Sequence, residues 1–352
     1  MAKRLWAGLD VGVETTSICI VNEAGDVVHE AMCPTKVRDV HRELAVLRRL
    51  RFARVSLEAG VGTALARGLR NLGYSVDIYE TRQLSKFLRV RRNKTDAGDA
   101  NGIAQAGRLG TTIVSKVHLK SLECQFLTSR LTIRRHLIKT RVKAASLLCR
   151  QLEQLGGRVR GPGKGKDLRV KVEQQLKELF GKAANPVAER FRPLLSQCET
   201  LSAWQEEIDR DLYRLAHENE HCCRLMQIPG VGPICALTFF AAVGEPDRFQ
   251  KSAAIGCYLG LTPRLHQSGL TSRMGRISKM GNKAARSLLV QASIRFMRAS
   301  RTDIELHAWA SRIEQRRGRG RARIALARKL AVVMLAIWKS GQDYRPTLLE
   351  AA

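Results

Sequence analysis

"RLWAGLDVGVETTSICIVNEAGDVVHEAMC", residues 4–33, decides the fold. Residues 4–12 and 16–22 are rich in aliphatic and β-branched side chains. The turn "EAGD" at 23–26 and a third such run at 27–33 follow, so the spacing predicts a meander of three strands. Beyond it, "VRDVHRELAVLRRL" (37–50) carries apolar residues at helical spacing. "ARVSLEAG" (53–60) predicts a fourth strand, "VGTALARGLRNLG" (61–73) a helix closed by Gly73, and "YSVDIYE" (74–80) a fifth strand. Two helical stretches, 82–90 and 95–108, complete the region. An antiparallel meander that feeds parallel crossovers, in the order βββαβαβα, belongs to the ribonuclease H-like class of α/β folds.

In that class the first and fourth strands lie side by side. Asp10 of "GLDVG" and Glu58 of "SLEAG" are then expected to meet at one end of the sheet. "RNKTDAGDA" (92–100) adds Asp96 and Asp99 at i, i+3 on one helix face. Four carboxylates at one point repel unless a cation lies among them, and hard oxygen ligands select Mg²⁺ or Mn²⁺. Such ions serve phosphoryl transfer by activating the attacking oxygen and stabilising the leaving one. Arg89, Arg91, Arg92 and Lys94 stand just ahead of the pair, placed to receive a phosphate backbone. Taken singly, each acid could equally be a helix cap or a solvated surface group. Asp26, Glu80 and Glu14 suit the pattern less well and read as structural.

Composition points the same way. The chain has 352 residues, with 61 Lys+Arg against 32 Asp+Glu and a formal net charge of +29, the balance of a polyanion binder. No apolar run reaches the ~18–20 residues of a membrane span. "LAVVMLAIW" (330–338) is too short and is bounded by Lys329 and Lys339. "MAKRLWAGLD" enters a strand at once, so no signal peptide is expected. Nine cysteines without regular spacing suit a reducing, cytoplasmic compartment.

Residues 118–220 change texture. "SLECQFLTSRLTIRRHLIKTRVKAASLLCRQLEQL" (121–155) is a long helical pattern free of Gly and Pro. The flexible basic loop "GGRVRGPGKGKDLRV" (156–170) ends it, and helix resumes near 170 and across 193–219. A helical hairpin or coiled coil follows, either as a dimerisation arm or as an ordinary helical domain. The loop has no G-x-x-x-x-G-K-[ST] match and no preceding strand, so it is no phosphate loop. His217, His221, Cys222 and Cys223 hold no C-x-x-C pair and make a poor zinc set.

From 221 to 352 the expected domain is mostly helical. "IPGVGPICA" (228–236) resembles a helix-hairpin-helix turn, in which Gly230 and Gly232 let backbone N–H groups approach a phosphate. A tight interhelical turn without a ligand is the plain alternative. "YLGLTPRLHQSGLTSRMGRISKMGNKAARSLLVQAS" (258–293) is polar, basic and punctuated by Gly, and reads as a loop. In it Arg264, His266, Arg273 and Arg276 surround Ser268 with charge suited to a phosphate, and Lys279 follows Ser278. A serine oxygen that attacks phosphorus needs such charge around the phosphoryl oxygens. "RRGRGRAR" (316–323) sets Arg316, Arg317, Arg319 and Arg321 ahead of an amphipathic last helix, where phosphate contact is expected.

Taken together, "GLDVG", "SLEAG" and "KTDAGDA" in front, with "IPGVGP…RFQKSAAIGCYLGLTPRLHQSG…GRISKMGNKAAR" behind, resemble the DEDD transposases of bacterial insertion sequences, the IS110 group. The resemblance implies a RuvC-like domain at 1–117 with its acids on Asp10, Glu58, Asp96 and Asp99. It implies a helical arm at 118–220 and a transposase domain at 221–352 with Ser268 as nucleophile, Ser278 being the alternative. It further implies a covalent phosphoserine link followed by strand exchange, and a structured (bridge) RNA that pairs with donor and target DNA. Dimers would join into a tetramer, the serine domain of one subunit meeting the RuvC-like domain of another, in the bacterial nucleoid. The loop at 156–170 has no counterpart in that pattern. The alternatives are a metal-dependent, junction resolvase-like nuclease and a catalytically inactive nucleic-acid-binding protein. "GLDVGVETTSICIVNEAGDVV" also resembles the first phosphate loop of actin-like sugar kinases, but nothing after residue 118 offers their second domain.

Overall fold

A computed structural model describes residues 4–47, 51–89, 95–110, 114–159, 161, 163, 165–268, 271–298 and 304–346. They form two compact units, 1–119 and 120–352.

The first unit is built on strands β1 (Arg4–Val11), β2 (Thr15–Val21), β3 (Val27–Pro34), β4 (Arg51–Glu58) and β5 (Val76–Tyr79). Their order in the sheet is β3-β2-β1-β4-β5. The meander pairs antiparallel, while β1–β4 and β4–β5 pair parallel. This is a mixed α/β unit consistent with the ribonuclease H-like class. Alternation along the strands sorts two faces. Leu5, Ala7, Leu9, Val55 and Leu57 join one core with Val40 and Leu44 of α1 (Val37–Ala45) and Leu65 and Leu69 of α2 (Thr63–Asn71). Helix α1 is shorter than the expected 37–50, and residues 48–50 lie outside the described residues. Glu80 caps α3 (Thr81–Leu88) by accepting from the Gln83 N–H at 2.9 Å.

The opposite face carries α4 (Asp96–Leu109), "DAGDANGIAQAGRL", whose small residues let it lie close on the sheet. Ala100 and Ala104 pack with Cys19, Val21 and Trp6. A Cβ on Gly8 would overlap the Ala100 carbonyl oxygen and the Ala104 nitrogen, and one on Gly107 would overlap Ser56 Oγ. Gly8→Val should therefore push α4 off the sheet and cost about 1–3 kcal/mol or more. Denaturant unfolding checks this, and wild-type stability in the variant would refute the close packing.

The second unit is helical. Helix α5 (Leu122–Gln154) and α7 (Ala184–Glu218) form an antiparallel hairpin, with α6 (Lys166–Phe180) packed beside it. Arg134 pairs with Asp209 near one end of the hairpin, and the Cys198 thiol faces the Arg141 carbonyl further along. Helix α7 starts nine residues before Pro193 rather than at it. Proline removes one backbone hydrogen bond there, but buried Phe191 and Leu195 on either side hold the helix together. The hairpin base shares a core with the C-terminal helices, so arm and C-terminal region belong to one compact unit. Cys124, Leu127, Leu212 and Ala216 pack into the cluster that holds Phe239 and Trp338.

Arg169 of α6 grips Glu199 of α7 through two parallel bonds, Nε to Oε1 at 2.6 Å and Nη2 to Oε2 at 2.8 Å. The guanidinium holds the Glu199 carboxyl below its ordinary 4.5. A depressed carboxyl contributes stability that is full above its unfolded value and lost as pH falls through the folded one. Both side chains are partly exposed, so Glu199→Gln should cost only ~1 kcal/mol at neutral pH. Urea unfolding at a series of pH values should show the gap to wild type closing below pH 4.5. A gap that stays constant into acid would rule out the ion pair as its cause.

The C-terminal region continues with α8 (Glu220–Met226), α9 (Pro233–Val243), α10 (Ala254–Tyr258), the hairpin β6 (Pro263–Ser268) and β7 (Thr271–Ile277), then α11 (Lys283–Arg298), α12 (Ile304–Arg317) and α13 (Arg319–Ser340). Two expectations change here. Residues 263–277 are a two-stranded hairpin, not a loop. Its strands are exposed nearly throughout, so no hydrophobic alternation marks them. Helix α13 is not amphipathic along its length, because from Leu326 to Trp338 it is buried on most sides. "RRGRGRAR" falls on the α12–α13 corner, with Gly318 at φ 82° between the helices.

Candidate nucleic-acid-processing site

Register and helix direction place the acids of the first unit. Leu9 of β1 stands opposite Leu57 of β4, so Asp10 and Glu58 follow as neighbours at the same end of two parallel strands. Both alternate with residues that face α4, Asp10 with Gly8 and Glu58 with Ser56. The far end of α4 is tied to the β2–β3 turn: Gln105 Nε2 donates to the Gly25 carbonyl at 2.7 Å, and Arg108 Nη1 to the Glu23 carbonyl at 3.2 Å. That turn lies by the start of β1. Hence the first turn of α4, with Asp96 and Asp99, is directed toward the strand ends that carry Asp10 and Glu58. Thr95 fixes where the helix begins by accepting from the Gly98 N–H at 3.1 Å.

Asp96 is exposed, while Asp10, Glu58 and Asp99 are half-buried. Carboxylates suit a hard divalent cation in donor chemistry. The side chains are not drawn into one coordination shell, since no group of three His, Cys, Asp or Glu among the described residues is close enough to hold an ion. Arg89 is exposed at the end of α3, and Arg91, Arg92 and Lys94 lie outside the described residues.

In the second unit Ser268 is the last residue of β6, at the hairpin tip. Its hydroxyl is 3.2 Å from Thr271 Oγ1, which also donates to the Ser268 carbonyl at 2.7 Å. Ser268 pairs with Thr271 and His266 with Arg273. Residues paired across strands, and those two apart along one, share a face. One face of the hairpin thus carries a hydroxyl, an imidazole and a guanidinium, all exposed. Arg264 Nη2 donates to the Ser278 carbonyl at 3.1 Å, so it braces the hairpin base and leaves Ser278 half-buried.

The base of the hairpin borders a groove of about 1190 Å³. Arg276 and Lys279 come to it from one side, and Arg317, Arg321, Arg328 and Lys329 from the α12–α13 corner. The floor is apolar, and no acid lines it. Lys279 holds φ 56°, alone among described non-glycine residues at positive φ, and its N–H donates to the Gly260 carbonyl at 3.2 Å. Arg328, Lys329 and Trp309 belong to the groove although sequence reasoning passed them over. The signal was present for the two cations, since "ARK" follows the arginine tract one helical turn later. Arg316 borders a second opening beside Trp309, and Arg319 is engaged with Glu314 at 2.9 Å.

The glycines of "IPGVG" divide. Gly230, at φ 84°, packs against α11, where a Cβ would press on the Ala292 carbonyl and the Phe296 nitrogen. Its lack of a side chain serves the close packing on α11. Gly232 precedes Pro233 at the start of α9 and has open space beside it. The rejected zinc set is occupied otherwise. His221 lies among Phe240 and Trp338, His217 bonds the Tyr213 carbonyl, and burial pushes the Cys222 thiol up to about 12.

A mixed α/β unit consistent with the ribonuclease H-like class, followed by a helical unit, fits a DEDD-type transposase. A family model described as "DEDD_Tnp_IS110: Transposase" matches residues 7–156, and "Transposase IS116/IS110/IS902 family" matches residues 222–308. The chain belongs to the IS116/IS110/IS902 family of insertion-sequence transposases. It is 28% identical over 345 residues to "Transposase for insertion sequence element IS1111A" of Coxiella burnetii, covering 96% of this chain and 90% of that one. It is 27% identical to "Probable family 20 transposase" of Pseudomonas aeruginosa, over 96% and 98%. With "Transposase for insertion sequence element IS1328" of Yersinia enterocolitica the figures are 28% over 82% and 84%. DNA is thus the substrate that the family implies. No helix among the described residues is long and apolar enough to cross a membrane.

Proposed function

We propose that the chain cuts and rejoins DNA strands with Ser268 as nucleophile and Asp10, Glu58, Asp96 and Asp99 as ligands for Mg²⁺ or Mn²⁺. The observation that carries this reading is the alignment of Asp10 and Glu58 at one end of adjacent strands, under the helix turn with Asp96 and Asp99. When bound, a divalent ion supplies positive charge to the phosphoryl oxygens. Ser268 Oγ attacks phosphorus and its proton leaves to an acceptor. The P–O bond to the leaving strand breaks, and that strand departs as a 3′- or 5′-hydroxyl. His266 and Arg273, on the face of Ser268, are placed to take the proton and to steady the charge. A second strand hydroxyl then displaces the serine and restores the phosphodiester.

An element-encoded RNA selects donor and target DNA in this reading, which the charge of +29 supports. Dimers assemble into a tetramer, for which the exposed apolar side chains of the helical hairpin, Phe126, Ile133 and Trp204, offer a surface. The division at 117 and 220 then separates chemistry, assembly and serine delivery. The second reading, a metal-dependent nuclease, takes Ser268 as a turn residue, and its bond to Thr271 favours that view.

Incubation with labelled element-end DNA and the copurified RNA, followed by denaturing electrophoresis, separates the two. A protein–DNA adduct that survives denaturation is expected, and its loss after nuclease removal of the RNA supports guidance. Cleavage without any adduct would select the nuclease.

A further inference from the structure

The groove at the hairpin base pairs an apolar floor with a ring of cations, and a single aromatic side chain stands at its wall. Trp309 lies on α12 in a stripe with Arg312 and Arg316, at i, i+3 and i+7. It borders the 1190 Å³ groove on one side and an opening of about 530 Å³, shared with Arg312, Gln315 and Arg316, on the other. In the core of this unit Trp338 stacks on Phe240 and meets Phe239 at a tilt.

An apolar floor beside a phosphate-binding rim does not suit duplex DNA, whose bases are stacked away and whose surface is uniformly polar. It suits a strand with bases turned outward, stacked on an aromatic ring while cations track the backbone. The groove lining contains no hydroxyl, amide or carboxylate side chain. Its polar side-chain groups, on Arg, Lys and Trp, are all donors, which suit phosphates beside a stacked base. The occupant is held chiefly by stacking and charge.

We propose that this groove takes an unpaired DNA strand, with one base stacked on Trp309 and the flanking phosphates on Arg276, Lys279, Arg317 and Arg321. The inference rests on the reading that the chain acts on DNA strands. It adds a place where a strand is held open beside the serine hairpin.

The test uses the full chain with one oligonucleotide sequence as single-stranded DNA, duplex DNA and RNA, read by fluorescence anisotropy. Trp309→Leu should weaken single-stranded DNA binding about 5- to 150-fold, the loss of one base–aromatic stack. Duplex affinity should stay unchanged, and Trp309→Phe should keep most of the single-strand affinity. Because Trp309 also packs on the core, a second measurement is made on the unaltered protein. Irradiating it with a 5-bromodeoxyuridine strand should give a crosslink in the peptide that contains Trp309.

A folded Trp309→Leu variant with wild-type single-strand affinity, or crosslinks confined to other peptides, would overturn the proposal. RNA bound more tightly than DNA in a Trp309-dependent way would overturn the choice of DNA. In each of these cases duplex binding and adduct formation by the unaltered protein would leave the wider function standing. Failure to bind any DNA would remove both.

Discussion

Ser268→Ala is expected to abolish the covalent protein–DNA adduct and to lower strand exchange by at least ~10³-fold, with DNA affinity close to wild type. The size follows from the chemistry. Removing a nucleophile deletes a step, whereas removing a binding group only weakens one. Ser268 is well placed for a clean test. It is exposed at the hairpin tip, and its hydroxyl bonds only Thr271 among the described contacts. Losing that hydroxyl therefore opens no cavity and strands no buried donor, so a fall in activity cannot be traced to unfolding. Ser278 serves as the comparison. It is half-buried at the hairpin base with its carbonyl held by Arg264, and Ser278→Ala should retain the adduct. The readout is a labelled strand migrating with the protein under denaturing conditions. An adduct of normal yield from Ser268→Ala would move the nucleophile elsewhere.

Asp99→Asn should lower strand cleavage by ~10²–10³-fold, by weakening the hold on an ion whose positive charge would stabilise the reacting phosphate. The substitution is nearly isosteric, and Asp99 stands in the first turn of α4, where Thr95 sets the helix start independently. Unfolding of the sheet is thus not the cause to be expected. Because an ion bound only to the folded state adds stability, Mn²⁺ should raise the thermal midpoint of the wild type more than that of Asp99→Asn or Asp10→Asn. Electron paramagnetic resonance of free Mn²⁺ gives the same answer without enzymatic turnover. Equal Mn²⁺ uptake by wild type and Asp99→Asn would remove Asp99 from the ligand set. Equal activity would remove the metal hypothesis at that residue.

Legibility differed between the two units for a physical reason. In the first, β1, β2, β4 and β5 are half-buried or buried along most of their length and α1 and α2 each have one apolar face, so period and burial coincide there and the elements read directly from the sequence. The hairpin at 263–277 defeated the same method. Both its faces are exposed, Leu265 and Met274 included, and without a buried face no alternation is selected. Helix α13 misled in the opposite sense. Its arginines at 316–323 suggested a polar face, but they cluster at the corner before the helix enters the core. That Gly230 also lets α11 pack closely is visible only from the backbone of α11 against it.

In the first unit the sequence by itself determined which elements form, because propensity, periodicity, the Thr95 cap and the turn at 23–26 act over a few residues. It also determined that the chain carries excess positive charge for a polyanion. What only the tertiary structure decided is which distant groups share a place. Register sets Asp10 beside Glu58, and the small residues of α4 against Gly8 aim Asp96 and Asp99 at that same end. Folding likewise closes Arg276 and Lys279 around one groove with Arg317, Arg321 and Trp309. These are matters of relative orientation between elements far apart in the chain. They follow from packing, which no local pattern encodes.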